Sequence, residues 1–208
     1  MNVSIMEILS SPYTLLIISY LVGSFPTGYL VGKIVYGINL FEHGSKNVGA
    51  TNALRVLGKK AGVFVLTVDA LKGAIPVIVA TYSLNLHYQW SLAIGFFAIF
   101  GHTFSPFIKF KGGKGVATSA GTFLALAPLA MGSSLVTFIV VVTCTKFVSL
   151  GSILASIVLP IACAMFYPAK PVIWQACTLL TIFIIYKHRS NLGRLIRGEE
   201  NRLNWGKK

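Results

Sequence analysis

Long apolar runs fill this chain almost from end to end, and the basic residues between them fall on alternate loops. That pattern constrains the fold more than any motif does. Within a bilayer a chain must satisfy its own backbone N–H and C=O groups, so such runs read as helices. At 55% hydrophobic and 11% charged residues, the composition is of the membrane class, since soluble domains carry about a quarter charged residues. The apolar runs lie near 12–36, 61–83, 89–108, 115–131, 132–147, 149–167 and 170–187. The fourth and fifth are short for a span of roughly 20 residues and are also readable as one kinked or re-entrant element.

Charge decides between those counts. With seven spans and the N-terminus outside, the inner loops hold Lys33, Lys46, Arg55, Lys59 and Lys60, then Lys109, Lys111 and Lys114, then Lys146. The inner tail adds Lys187, Arg189, Arg194, Arg197, Arg202, Lys207 and Lys208, while the outer side holds only Lys170. Merging the fourth and fifth runs would put the 105–115 loop and the tail on opposite faces, against the positive-inside pattern. The expected fold is therefore an all-α membrane protein of seven transmembrane helices, N-terminus outside and C-terminus inside. Inner-face loops would form the site, in a single domain over 1–208.

The net charge of +13 is first of all topological, with attraction to anionic lipid as its second effect. Nucleic acid is not indicated, because the basic residues sit in short loops between lipid-facing segments. Residues 1–11 lack Lys and Arg, and no signal peptide is expected. Cys144, Cys163 and Cys177 fall in apolar runs without metal-type spacing, so they read as free thiols.

Polar residues cluster in three places, all on the expected inner face, which makes a composite site plausible. The first cluster contains Gly23, Pro26, Gly28, Gly32 and Lys33, then Gly44-Ser45-Lys46-Asn47 through Thr51-Asn52, then Arg55. Glycine and proline inside a span suggest a close helix crossing or a bend. Ser, Asn and Thr donate to phosphate oxygens and Arg grips them bidentately, although Asn47 and Thr51 also suit helix caps.

The second cluster spans Gly101–Gly115 and ends in the loop Phe110-Lys111-Gly112-Gly113-Lys114-Gly115. Glycines let backbone N–H groups approach an anion, and lysines supply the counter-charge; the same residues also make ordinary membrane-flanking turns. The third runs from Lys187-His188-Arg189-Ser190-Asn191 through Arg194 and Arg197 to Glu200 and Arg202. Much of it reads as an amphipathic interfacial tail with Trp205 following, but the i,i+3 spacing of His188 and Asn191 directs both toward one spot. Asp69 and Lys72 are the charges deep in an apolar run, and at i,i+3 they can neutralise each other as a structural pair.

The three motifs together resemble the bacterial acyl-phosphate:glycerol-3-phosphate acyltransferase family, integral membrane enzymes of phospholipid synthesis. The matching residues are Gly23-Ser24 to Lys33 with Gly44-Ser45 to Asn52, then Gly101-His102-Thr103-Phe104 to Gly115, and then His188-Arg189-Ser190-Asn191 with Arg194-Leu195 and Glu200. The resemblance implies transfer of a fatty acyl group from acyl phosphate to the 1-hydroxyl of glycerol 3-phosphate, giving lysophosphatidate and phosphate. It implies the cytoplasmic face of the bacterial inner membrane and no coenzyme A or acyl carrier protein as direct donor; no cofactor and no obligate protein partner are expected. It marks Gly112, Gly113, Lys114 and Gly115 for phosphate binding, and Ser45, Arg55, His188, Asn191 and Glu200 as site residues. The expected catalytic set is thus His188, Asn191 and Lys114, with Ser45, Asn52, Arg55, Gly112, Gly113, Gly115 and Glu200 binding substrate and no metal.

An acyl phosphate is already activated, so the chemistry needs positioning, charge neutralisation and oxyanion stabilisation. The acids are Glu7, Glu42, Asp69, Glu199 and Glu200, and no Gly-x-Ser-x-Gly elbow is present, which favours direct attack without an acyl-enzyme. Either His188 or the acceptor's own phosphate takes the hydroxyl proton; the resemblance suggests the second. An organophosphate or anion transporter is the alternative, opposed by the gathering of polar chemistry at one face rather than at the midplane. A lipid-binding protein without catalysis would need only the basic rims. A metal hydrolase through His43, His102 and His188 lacks ligand spacing.

Overall fold

The structure, a computed structural model, describes residues 10–203. Glu7, Trp205, Lys207 and Lys208, which entered the charge and tail expectations, lie outside the described residues. Among the described residues every regular element is helical. Two compact units divide the chain, 1–126 and 127–208.

In the first unit α1 spans Pro12–Ser24 and breaks at Phe25-Pro26, because proline fixes φ and disfavours helix in the residue before it. The short α2, Thr27–Leu30, continues the span into a π-helical turn at Val31–Val35. α3 (Ala50–Leu57) leads through Gly58 into α4 (Lys59–Ile78), which ends in a second π turn at Val79–Ser83. α5 covers Tyr88–Thr103, a 3₁₀ turn follows at Pro106–Ile108, and α6 covers Val116–Leu126. α1 packs on α5 and α4 on α6. The expected close crossing is at Gly23, where a Cβ would collide with the backbone of Ala98. Ser19 Oγ donates to the Ile94 carbonyl across the same contact at 2.7 Å. Small residues and interhelical hydrogen bonds hold membrane helices, since burial of apolar surface drives nothing inside lipid.

In the second unit α7 is Pro128–Thr145, α8 Val148–Phe166, α9 Pro171–Lys187 and α10 Arg189–Ile196. Pro160 inside α8 removes the helical donor to the carbonyl of Ser156. Thr181 Oγ1 of α9 donates to that carbonyl instead, which is how a proline is tolerated without water at hand. The chain after α10 folds back, and the Leu203 N–H reaches the Lys146 carbonyl at 2.7 Å.

Among the described residues five segments are long and apolar enough to cross a membrane: Pro12–Val35, Lys59–Ser83, Tyr88–Ile108, Pro128–Thr145 and Val148–Phe166. Val116–Leu126 and Pro171–Lys187 are shorter apolar helices. All seven expected runs are helical. One boundary differs: the helix break falls at Ala127-Pro128, not near Gly132, which lies inside α7. Pro128 opens α7 at its first turn, where its missing N–H costs nothing, whereas Gly132 meets open space and serves no turn.

Candidate active site

The glycine loop begins where α5 ends. Its turn is tight: the Phe110 N–H donates to the Ser105 carbonyl at 2.8 Å, and Lys109 and Phe110 take the left-handed conformation at φ 55° and 60°. Two consecutive non-glycine residues there carry local strain of order 1–3 kcal/mol each. Gly112 and Gly113 then donate their N–H groups to the carbonyls of Thr103 and His102, both at 3.1 Å. A Cβ on Gly112 would strike the His102 carbonyl, and one on Gly113 the His102 ring. These two glycines therefore serve close packing against α5, and their N–H groups are used within the protein rather than presented to an anion. Gly115, buried with φ 83°, turns the chain into α6. Lys114, between them, is half-buried, while Lys111 is exposed.

Beneath this loop lie the buried charges. Lys72 Nζ stands 2.7 Å from Asp69 Oδ1 and donates to the Phe25 carbonyl at 2.9 Å. His102 Nδ1 faces the same Asp69 oxygen at 3.7 Å. A small, partly open cleft is lined by Thr27, Asp69, Lys72, His102, Ser105 and Gly113, among others. Ser105 Oγ donates to the Ser24 carbonyl at 2.5 Å, so the first and second sequence clusters do meet in this unit.

Asn52, 2% exposed, organises the loop before α3. Its Nδ2 is shared among the carbonyls of Asn47 (2.8 Å), His43 (3.0 Å) and Leu40 (3.3 Å). Its Oδ1 accepts the Ser45 N–H at 2.8 Å and lies 3.5 Å from Arg55 Nη1. This amide shapes the backbone that displays Ser45, and both Ser45 and Arg55 are exposed.

The second unit holds the third cluster. His188, 3% exposed, closes α9, and its Nδ1 contacts the Ile184 carbonyl at 2.8 Å. A carbonyl only accepts, so the neutral ring carries its proton on Nδ1 and its lone pair on Nε2. Asn191, 6% exposed, follows on the first turn of α10. Its Nδ2 donates to Glu200 Oε1 at 2.7 Å. Ser149 Oγ donates to the same oxygen at 3.0 Å, and Arg194 Nε pairs with Glu200 Oε2 at 2.8 Å. Glu200 thus gathers α8, α10 and the returning tail around one carboxylate. Ser149 is the residue that the sequence reading missed; the polar side chain at the start of an apolar run was its only signal. Cys163 and Cys177 are buried free thiols and Cys144 an exposed one. Among the described residues no three His, Cys, Asp or Glu side chains gather to hold a metal.

Comparison with known proteins gives these sites a context. The family model described as glycerol-3-phosphate acyltransferase matches residues 13–198. A glycerol-3-phosphate acyltransferase of Trichlorobacter lovleyi is 47% identical over 184 residues, 88% of this chain and 93% of that protein. One from Bacillus subtilis is 45% identical, covering 92% and 97%. The crystal structure of PlsY, an integral membrane glycerol 3-phosphate acyltransferase, in its glycerol 3-phosphate form superposes with a TM-score of 0.86 at 37% identity, covering 93% of this chain and 96% of that one. Its lysophosphatidic acid form gives 0.83 at 36% identity, covering 93% and 95%. The transporter alternative finds no support among these relatives. The helical membrane architecture, the three motifs and the matches over nearly the whole length agree: this chain belongs to the glycerol-3-phosphate acyltransferase family of integral membrane enzymes.

Proposed function

We propose that this enzyme transfers a fatty acyl group from acyl phosphate to the 1-hydroxyl of glycerol 3-phosphate by direct attack. The observation that carries the reading is the likeness to PlsY, solved both in a glycerol 3-phosphate form and in a lysophosphatidic acid form. Those two molecules are the acceptor and product of the proposed step. The hydroxyl oxygen bonds to the acyl carbonyl carbon, the bond from that carbon to the phosphate oxygen breaks, and phosphate leaves with its electron pair. The hydroxyl proton passes to the acceptor's own phosphate, so no protein base is needed. A second reading puts that proton on His188, and the Nδ1 contact with the Ile184 carbonyl favours it by leaving the lone pair on Nε2.

Lys114 neutralises a substrate phosphate, with Gly112, Gly113 and Gly115 fixing its backbone. Arg55 and Ser45 bind phosphate oxygens from the loop that Asn52 shapes. Asn191 orients the acceptor, and Glu200 contributes by holding Asn191. A carboxylate already bonded to Ser149, Asn191 and Arg194 suits that role better than contact with an anionic substrate. The family match runs through both compact units, which supports one acyltransferase domain over 1–208.

The same reading places seven spans in the bacterial inner membrane, with the N-terminus outside and the chemistry on the cytoplasmic face. The charge pattern supports it, as do five full-length candidate spans and two shorter apolar helices. Reporter tags at Asn85 and after Lys208 test it: opposite faces are expected, and a shared face contradicts seven spans. For the reaction, purified protein in liposomes is given glycerol 3-phosphate with acyl phosphate, acyl coenzyme A or acyl carrier protein. Lysophosphatidate from acyl phosphate alone is expected; equal rates from a thioester would overturn the donor assignment.

A further inference from the structure

Asp69 and Lys72 are 2% and 6% exposed within a helix long and apolar enough to cross a membrane, and the proposed acyl transfer assigns them no task. A buried ion pair is weak evidence for stability, because desolvation offsets most of its attraction and an apolar pair of similar volume serves a span as well. Its contacts give it another role. On one side Lys72 Nζ holds the Phe25 carbonyl at 2.9 Å, just before the Pro26 break in the first span. On the other, Asp69 Oδ1 faces His102 Nδ1 at 3.7 Å.

His102 in turn meets the glycine loop twice. Its carbonyl accepts the Gly113 N–H at 3.1 Å, and its ring occupies the space that a side chain on Gly113 would need. Lys114 is the next residue. Rotation of the ring away from Asp69 would push into Gly113 or abandon it, and either change moves the backbone that carries Lys114.

We propose that Asp69, Lys72 and His102 form a positioning network that fixes the glycine loop and, through Gly113, the placement of Lys114. None of the three need touch substrate. The inference rests on the reading of Lys114 as a phosphate contact. It assigns a function to the buried charges and to a histidine that lies in no metal cluster among the described residues.

A double-mutant cycle separates positioning from simple structural support. His102→Ala leaves the Asp69–Lys72 pair in place, and Asp69→Asn combined with Lys72→Met removes both charges without leaving one buried alone. Each is measured in the native background and in Lys114→Ala, with kcat and KM determined for glycerol 3-phosphate and acyl phosphate separately. In the native background each change is expected to lower kcat/KM by about tenfold, within the range seen for coupled neighbours. In the Lys114→Ala background the same changes are expected to cost less than twofold, because the group they position is gone.

Full multiplicative losses in both backgrounds would overturn the inference, as would unchanged kinetics in both network variants while Lys114→Ala is impaired. An unimpaired Lys114→Ala would instead overturn the reading of the loop on which the inference rests, and that single variant reveals it. Where His102→Ala does not fold, the paired neutral variant completes the cycle.

Discussion

In the first unit the polar centre is largely backbone. Gly112 and Gly113 are clamped onto the carbonyls of α5, strain sits at Lys109 and Phe110, and a buried ion pair lies underneath. In the second unit it is a side-chain cluster, with Ser149, Asn191 and Arg194 converging on Glu200. A backbone-built site depends on the absence of side chains, so added atoms and lost supports disturb it. A carboxylate-centred site depends on one acceptor, so losing that acceptor orphans every donor at once. The two should therefore fail differently: the first in kinetics, the second in folding.

Glu200→Ala is the strongest way to break that contrast. Its side chain is 5% exposed, and removing it strands the hydrogen-bond donors of Ser149 and Asn191 and uncouples Arg194. A stability loss of about 2–4 kcal/mol is expected, read as a lower melting temperature in detergent with activity nearly abolished. Glu200→Gln keeps one acceptor oxygen and should recover part of both. Normal melting with lost activity would place Glu200 in contact with substrate instead.

Lys114→Ala is next. Loss of a charge-assisted contact of roughly 1.5–3 kcal/mol slows turnover by about one to two orders of magnitude, with melting unchanged. Lys111→Ala, at the exposed side of the same glycine pair, should stay within about twofold, as surface changes do. Equal mild effects from the two lysines would return the loop to an ordinary basic turn.

The smallest effect is expected from chelation. Exhaustive removal of metal should leave acyl transfer unaltered, because the activated donor and basic side chains supply the electrostatics. Activity lost to chelation and restored by zinc or magnesium would contradict the mechanism.

These contrasts track how far the sequence could be read. Hydropathy and basic-loop alternation were sufficient for the helices, since both follow from the bilayer rather than from tertiary detail. The α6–α7 break falls at Ala127-Pro128 rather than at the expected run boundary between 131 and 132, because hydropathy alone does not register that proline favours a helix start. The i,i+3 pair of Asp69 and Lys72 was legible from one helix, but its links to Phe25 and His102 depend on how α1, α4 and α5 pack. Glycines at 112 and 113 read as openings for an anion; the group they approach in the structure is His102, which no spacing rule connects to them. Ser149 and Glu200 meet only because the tail folds back onto the start of α8, and nothing local encodes that return.

The central claim is direct transfer from acyl phosphate without an acyl-enzyme. A rapid-quench single turnover with radiolabelled acyl phosphate, with and without glycerol 3-phosphate, tests it most directly. With acceptor present, lysophosphatidate and phosphate should appear together in equal amounts. Without acceptor, neither a phosphate burst nor label on the protein should be seen. A stoichiometric burst of phosphate with acyl label retained on the protein in the absence of glycerol 3-phosphate would contradict the account.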